Sequence, residues 1–162
     1  NLVMIIFING TISSGKTTIA KLLQKNIPNT AVVEIDALRG FISEMSLEES
    51  IPLNLENAVS VIKNFANRNL NVVIPYPLSE KNYNYLLENI KTIDTKKFIF
   101  TLCPKPAELI KSNRGRKLND WEKERIEHHT KIGLTSPSFG DIIDNTNQTP
   151  EETAKIVLKL LK

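Results

Sequence analysis

Eight consecutive residues, Gly10-Thr11-Ile12-Ser13-Ser14-Gly15-Lys16-Thr17, combine types that suit one task, holding a polyphosphate. Two glycines separated by four residues allow a tight loop whose backbone N–H groups converge on phosphate oxygens. A helix starting directly behind it adds its positive N-terminus. In this pattern Lys16 reaches the β- and γ-phosphates and the Thr17 hydroxyl binds Mg²⁺. Thr11, Ile12, Ser13, Ser14 and Thr18 complete the expected cradle.

A second group of chemical residues lies further along. Val33-Glu34-Ile35-Asp36 carries two carboxylates at a spacing of two, which places both on one side if the segment is a strand. Such a pair divides the labour: Glu34 supports Mg²⁺ through its water shell, and Asp36 accepts the proton of an attacking hydroxyl. The alternative is that Asp36 caps a helix beginning at Ala37. Arg39, one turn on, is either a holder of an anionic part of the acceptor or a surface arginine. Tyr76, after a later apolar run, is either a wall of the acceptor site or a residue packed on the sheet.

The elements that must position these groups follow from periodicity. Residues 2–8 are continuously apolar and β-branched, as in a strand covered on both faces. Further strands are expected at 31–35, 71–75, 97–103 and 141–144. Helices are expected at 16–25, 37–45, 53–68, 80–91, 106–112 and 119–131, with a last one opened by Thr149, Pro150 and Glu152. Strands alternating with helices imply an α/β fold, a five-stranded parallel sheet with helices on both faces, and ligands at the carboxyl ends of the strands. At 162 residues, 41% of them hydrophobic, the chain is expected to form a single domain over residues 1–162.

Composition narrows the function classes. There are 21 Lys plus Arg against 18 Asp plus Glu, and the one tight basic cluster is Arg114, Arg116 and Lys117. That disfavours nucleic acid as a partner without excluding it, because a nucleic-acid track presents a concentrated basic face. A single cysteine, Cys103, and no apolar run long enough to span a bilayer point to a cytoplasmic protein with no membrane partner. Cys103 is expected as a buried small side chain, Trp121 as hydrophobic anchorage for its helix, and the adjacent His128 and His129 as surface or acceptor-side residues that cannot chelate one metal together.

Taken together, these motifs resemble the small phosphate-loop (P-loop) kinases that include shikimate kinase, chloramphenicol phosphotransferase and the kinase domain of polynucleotide kinases. Glu34-Ile35-Asp36 resembles the acid-x-Asp element of shikimate kinase, and Asp36-Ala37-Leu38-Arg39 the Asp-x-x-Arg element of polynucleotide kinases. The stretch from Phe139 through Asn145 and Thr146 to Glu152 resembles the last strand and adenine-side loop, which implies that Asn145 and Thr146 line the base pocket. Asn113-Arg114-Gly115-Arg116-Lys117-Leu118 resembles the arginine-bearing lid, at about residues 113–119, whose closure brings Arg114 and Arg116 to the moving phosphoryl and excludes water. Arg125 is a weaker candidate on the lid-side helix. Ile74-Pro75-Tyr76-Pro77 departs from the group: it has neither the glycine triplet of shikimate kinases nor the acid often found there, which argues against shikimate and throws more weight onto Glu34 and Asp36.

The expected function is a kinase that uses Mg·ATP to phosphorylate a hydroxyl of a small molecule, with Asp36 as the acceptor-side base. A polynucleotide 5′-hydroxyl kinase and a nucleotide-binding regulatory module without acceptor chemistry are the alternatives.

Overall fold

The computed structural model describes residues 2–110 and 117–162. Five strands, β1 (Val3–Asn9), β2 (Thr30–Val32), β3 (Asn71–Pro75), β4 (Thr95–Leu102) and β5 (Asp141–Ile143), form one parallel sheet in the order β2-β3-β1-β4-β5. β1 lies at the centre, with Ile6 opposite Val73 on one side and Phe98 on the other. This placement explains its unbroken apolar run. Ile5 and Phe7 point into one core and Ile6 and Ile8 into the other, all four fully buried.

Helices cover both faces. On one side α3 (Leu47–Ala66) and α4 (Glu80–Ile90) bury Leu55, Ala58, Val59 and Ile62, and Tyr83, Leu86 and Ile90. The spacings of three and four residues are those of a helix with one apolar face. On the other side α1 (Lys16–Asn26) buries Ile19, Ala20 and Leu23 in the same core as Val157 of α7 (Pro150–Leu160). Thr149 and Glu152 make the expected capping box on α7. α5 (Pro106–Ile110) and α6 (Asp120–Lys131) supply Leu109 and Ile126 to a small cluster with Leu118 and Ile12. The result is a three-layer α/β arrangement, a parallel sheet with helices on both faces, as the alternation of elements implies.

Two expectations give way. The second strand stops at Val32, and residues 35–39 form the short helix α2 (Ile35–Arg39). Ile35 is fully buried and Leu38 packs on the same core, so a helical pair three residues apart faces α3 in place of a continued strand. α3 begins at Leu47, six residues before 53, because Ser46 and Glu49 form a capping box in which each side chain serves the other's backbone N–H. Pro52 therefore lies inside α3, on its exposed side, where it removes one ladder hydrogen bond.

Candidate active site

The phosphate loop is shaped by backbone conformation. Ser13 (φ 61°) and Gly15 (φ 99°) are both left-handed. A Cβ on Gly10 would stand 3.0 Å from the Leu102 carbonyl oxygen and collide with Ser14. Such alternation turns successive N–H groups inward, a concavity suited to anions. Asn9, completely buried at the end of β1, holds the loop's entrance from three sides. Its Nδ2 donates to Thr101 Oγ1 and to the Leu134 carbonyl, each at 3.1 Å, and its Oδ1 accepts from the Leu78 N–H at 2.7 Å.

Lys16 occupies the first position of α1 and donates to the Thr11 carbonyl at 2.6 Å. The residue as a whole is only partly buried, yet its ammonium is enclosed by the loop. Desolvation lowers its pKa to about 8, against the opposing pull of the Asp36 carboxylate. Thr17 and Thr18 are exposed in the first turn of α1. Ile12 packs instead against Leu109, Leu118 and Ile126.

Beside the loop opens a cavity of about 590 Å³, lined among others by Ser13, Gly15, Thr18, Leu118, Asn145 and Thr146. Asn145 does more than line it: its Nδ2 donates to the Ser14 carbonyl at 3.0 Å and so ties the loop after β5 to the phosphate loop. Thr146 accepts the Lys105 N–H at 2.8 Å, which joins the ends of β4 and β5. Lys117, Leu118 and Asn119 are the described end of the predicted lid. Arg114 and Arg116 lie outside the described residues.

The other half of the cleft is assembled from separate elements. Glu34 is the N-cap residue of α2, with no side-chain capping bond, and Asp36 is in its first turn. Two sequence expectations are thereby corrected. The two acids do not share a strand face, and Asp36 does not cap the helix, because the helix has begun before it. Asp36 is exposed in the first turn of α2, where desolvation raises its pKa while Lys16, Arg39 and Arg125 pull it down and Glu34 pushes it further up. Tyr76 is buried in the core, 7% exposed, at the end of β3. Burial and the Asp36 carboxylate push its phenol up to about 12. Among the described residues no ion pair joins Lys16, Asp36, Arg39 and Arg125; the one pair present is Lys91 with Glu88 on the surface.

Sequence reasoning missed Asn9 and His129. His129 is buried, 4% exposed, where a surface or acceptor-side position was expected. Its Nδ1 lies 2.8 Å from Thr11 Oγ1 and its Nε2 3.3 Å from Arg125 Nη2. Desolvation, then the charges of Arg125, Lys16 and His128, lowers its pKa to about 4. The spacing of Arg125 and His129, four residues apart on one helix, was the available signal. Trp121, expected as an anchor, is 52% exposed, because α6 turns Glu122, Ile126 and His129 inward and Trp121 lies off that face. Cys103 is half-buried, and burial followed by Asp144 raises its thiol pKa, so it is no reactive thiolate.

No group of three or more His, Cys, Asp or Glu side chains suited to hold a metal occurs among the described residues. An exposed hydroxyl at Thr17 and a partly exposed carboxylate at Glu34 form an all-oxygen donor set. Such a set suits Mg²⁺, which keeps several waters and relies on substrate phosphates.

The family model described as "Chloramphenicol phosphotransferase-like protein" matches residues 3–162. The tunicamycin resistance protein of Deinococcus radiodurans aligns with 98% of this chain and 95% of its own, at 19% identity and a TM-score of 0.69. The APS kinase of Mycobacterium tuberculosis, solved with AMPPNP and APS, aligns over 99% and 98% of the two chains at 20% identity and a TM-score of 0.71. A third similar structure, the Pnkp1/Rnl/Hen1 RNA repair complex, covers 86% of this chain and 47% of that one at 19% identity and a TM-score of 0.69. At these identities the likeness is one of fold. No curated protein matches the sequence significantly. No helix among the described residues is long and apolar enough to cross a membrane.

Proposed function

We propose that this chain, which belongs to the chloramphenicol phosphotransferase-like family, transfers the γ-phosphoryl group of ATP to a hydroxyl of a small molecule, with Asp36 as the general base. One observation carries the reading: a carboxylate and three cations, Asp36 with Lys16, Arg39 and Arg125, are close enough to shift one another's charge at the phosphate loop, yet no two of them pair within 4 Å among the described residues. Charges gathered at the phosphate loop without pairing with one another are available to a phosphate ligand and its acceptor.

The steps follow from those positions. ATP lies with its triphosphate in the loop of Gly10, Thr11, Ile12, Ser13, Ser14 and Gly15 and its base toward the cavity lined by Asn145 and Thr146. Lys16 neutralises β- and γ-oxygens. Thr17 and Glu34 would hold Mg²⁺, which would supply further charge neutralisation at the phosphates. The acceptor hydroxyl lies between Asp36, Arg39 and the Tyr76 end of β3. Its oxygen bonds to the γ-phosphorus as its proton passes to Asp36, and the bond from γ-phosphorus to the β,γ-bridging oxygen breaks to release ADP. The raised pKa of Asp36 suits this role, since a base closer to neutrality has more driving force for proton transfer. The lid arginines Arg114 and Arg116 are assigned to the equatorial oxygens of the moving phosphoryl.

The test is a screen of ATP consumption against hydroxyl compounds, nucleosides and short oligonucleotides, with product phosphorylation read by mass spectrometry. Phosphorylation of a small alcohol that is lost in Asp36→Asn is the expected result. Submicromolar, length-dependent oligonucleotide binding at physiological salt would move the acceptor to nucleic acid.

A further inference from the structure

We propose that His129 is a positioning residue for nucleotide binding: a neutral imidazole of fixed tautomer that holds Thr11 at the start of the phosphate loop. The inference rests on the reading of that loop as an ATP site and adds to it a residue 118 positions away in sequence.

The tautomer follows from donor inventory. A guanidinium can only donate, so Arg125 Nη2, 3.3 Å from His129 Nε2, makes that nitrogen the acceptor. The ring hydrogen is then on Nδ1, which donates to Thr11 Oγ1 at 2.8 Å. The Thr11 hydroxyl keeps its own hydrogen to give to an anion. Thr11 is almost fully buried and is gripped at both polar ends, its hydroxyl by His129 and its carbonyl by Lys16 at 2.6 Å. The ring stays neutral near pH 7 because burial and the neighbouring cations disfavour its charged form.

A second contact places the same segment against the loop. Leu134, whose N–H bonds to the His129 carbonyl at 3.0 Å, gives its own carbonyl to Asn9 Nδ2 at 3.1 Å. Asn9 and Thr11 flank Gly10, where the chain turns under the Leu102 carbonyl with no room for a side chain. Both neighbours of that turn are therefore held by residues at the end of α6. A loop held before its ligand arrives gives up less freedom on binding.

The two amide isosteres separate the two ring nitrogens. In H129N the side-chain amide places an N–H donor where Nδ1 stands, and in H129Q the longer amide places an acceptor where Nε2 stands. H129N therefore keeps the bond to Thr11, and H129Q keeps only the bond from Arg125. Binding of Mg·AMPPNP to the full chain is measured by calorimetry for wild type, H129N, H129Q, T11V and the H129Q/T11V double variant, with the unliganded melting temperature of each. Expected are a loss of roughly tenfold in affinity for H129Q and for T11V, no further loss in the double variant, and affinity within about threefold of wild type for H129N. Affinity in H129Q equal to wild type would overturn the inference. So would H129N binding as weakly as H129Q, or additive losses in the double variant, since either means that the ring only fills space. If a variant is too unstable to titrate, T11V, which keeps the shape of the group it replaces, and H129N, which keeps the donor at the Nδ1 position, decide the outcome. A wild-type chain that does not bind Mg·AMPPNP would instead sink the nucleotide reading itself, and the inference with it.

Discussion

The two halves of the cleft are built in opposite ways. The half proposed for the nucleotide centres on one continuous stretch, residues 9–18, to which the loop after β5 adds Asn145 and Thr146. The half proposed for the acceptor gathers single side chains from α2, from the end of β3 and from α6. The same desolvation acts on both and pushes their central groups toward neutrality, Lys16 down to about 8 and Asp36 upward. Each holds the other charged. A contiguous loop tolerates little change, because every residue shares one backbone path, whereas an assembled half can change its acceptor by exchanging side chains.

The largest effect should come from the nucleotide half. Lys16→Met should cut phosphoryl transfer by about 10⁴-fold or more, the loss of one or two charge-assisted hydrogen bonds in binding together with transition-state charge. The same substitution should raise the unliganded melting temperature. A folded pKa of about 8 against the ordinary 10.5 means that the folded state disfavours charged Lys16, so the residue costs stability below pH 8 and the cost disappears as pH rises from 8 to 10.5. Allowing for solvent, the cost at pH 7 is on the order of 2 kcal/mol. Mg·ATP affinity of the wild type should also fall as pH rises through about 8. A less stable Lys16→Met, by thermal melting, would show that the ammonium is not enclosed.

Next comes the acceptor half. Asp36→Asn should lower transfer to an identified acceptor by about 10²- to 10⁴-fold while Mg·ATP affinity changes by less than about threefold. Since Asp36 is not the N-cap of α2, the melting temperature offers no competing explanation. Full activity in Asp36→Asn would move the proton transfer to Glu34 or to the substrate.

A third, smaller effect lies at the junction of the halves. His129 has a depressed pKa, about 4 against 6.5, so the folded state disfavours its protonation. Its stability contribution is fully present above pH 6.5 and is lost as pH falls toward 4, by on the order of 2 kcal/mol after allowance for solvent. Arg125, Lys16 and His128 are the charged or titratable neighbours that add to burial there. Urea unfolding between pH 7 and 4 should show this loss in the wild type and not in His129→Gln; identical pH profiles would place the sensitivity elsewhere. The smallest effect should be Trp121→Ala, within about 0.5 kcal/mol by denaturant unfolding, because the ring is half exposed outside both halves.

Legibility followed locality. The loop from Gly10 to Thr18, the alternation of strands and helices, β3 and the capping box of α7 depend on neighbours within a few residues, so spacing and residue type were enough to find them. The sequence alone thus determined the fold class and where the phosphate-loop pattern falls. Tertiary structure decided the rest. Whether residues 35–39 continue a strand or form a helix depended on the surface α3 offers to Ile35 and Leu38. Whether Pro52 could sit inside α3 depended on the capping box upstream and on an exposed face. Asn9 and His129 are polar residues whose partners lie 92, 125 and 118 positions away, at Thr101, Leu134 and Thr11. A buried hydrogen bond has no sequence period, and only the packing of β1, β4 and α6 brings its two ends together.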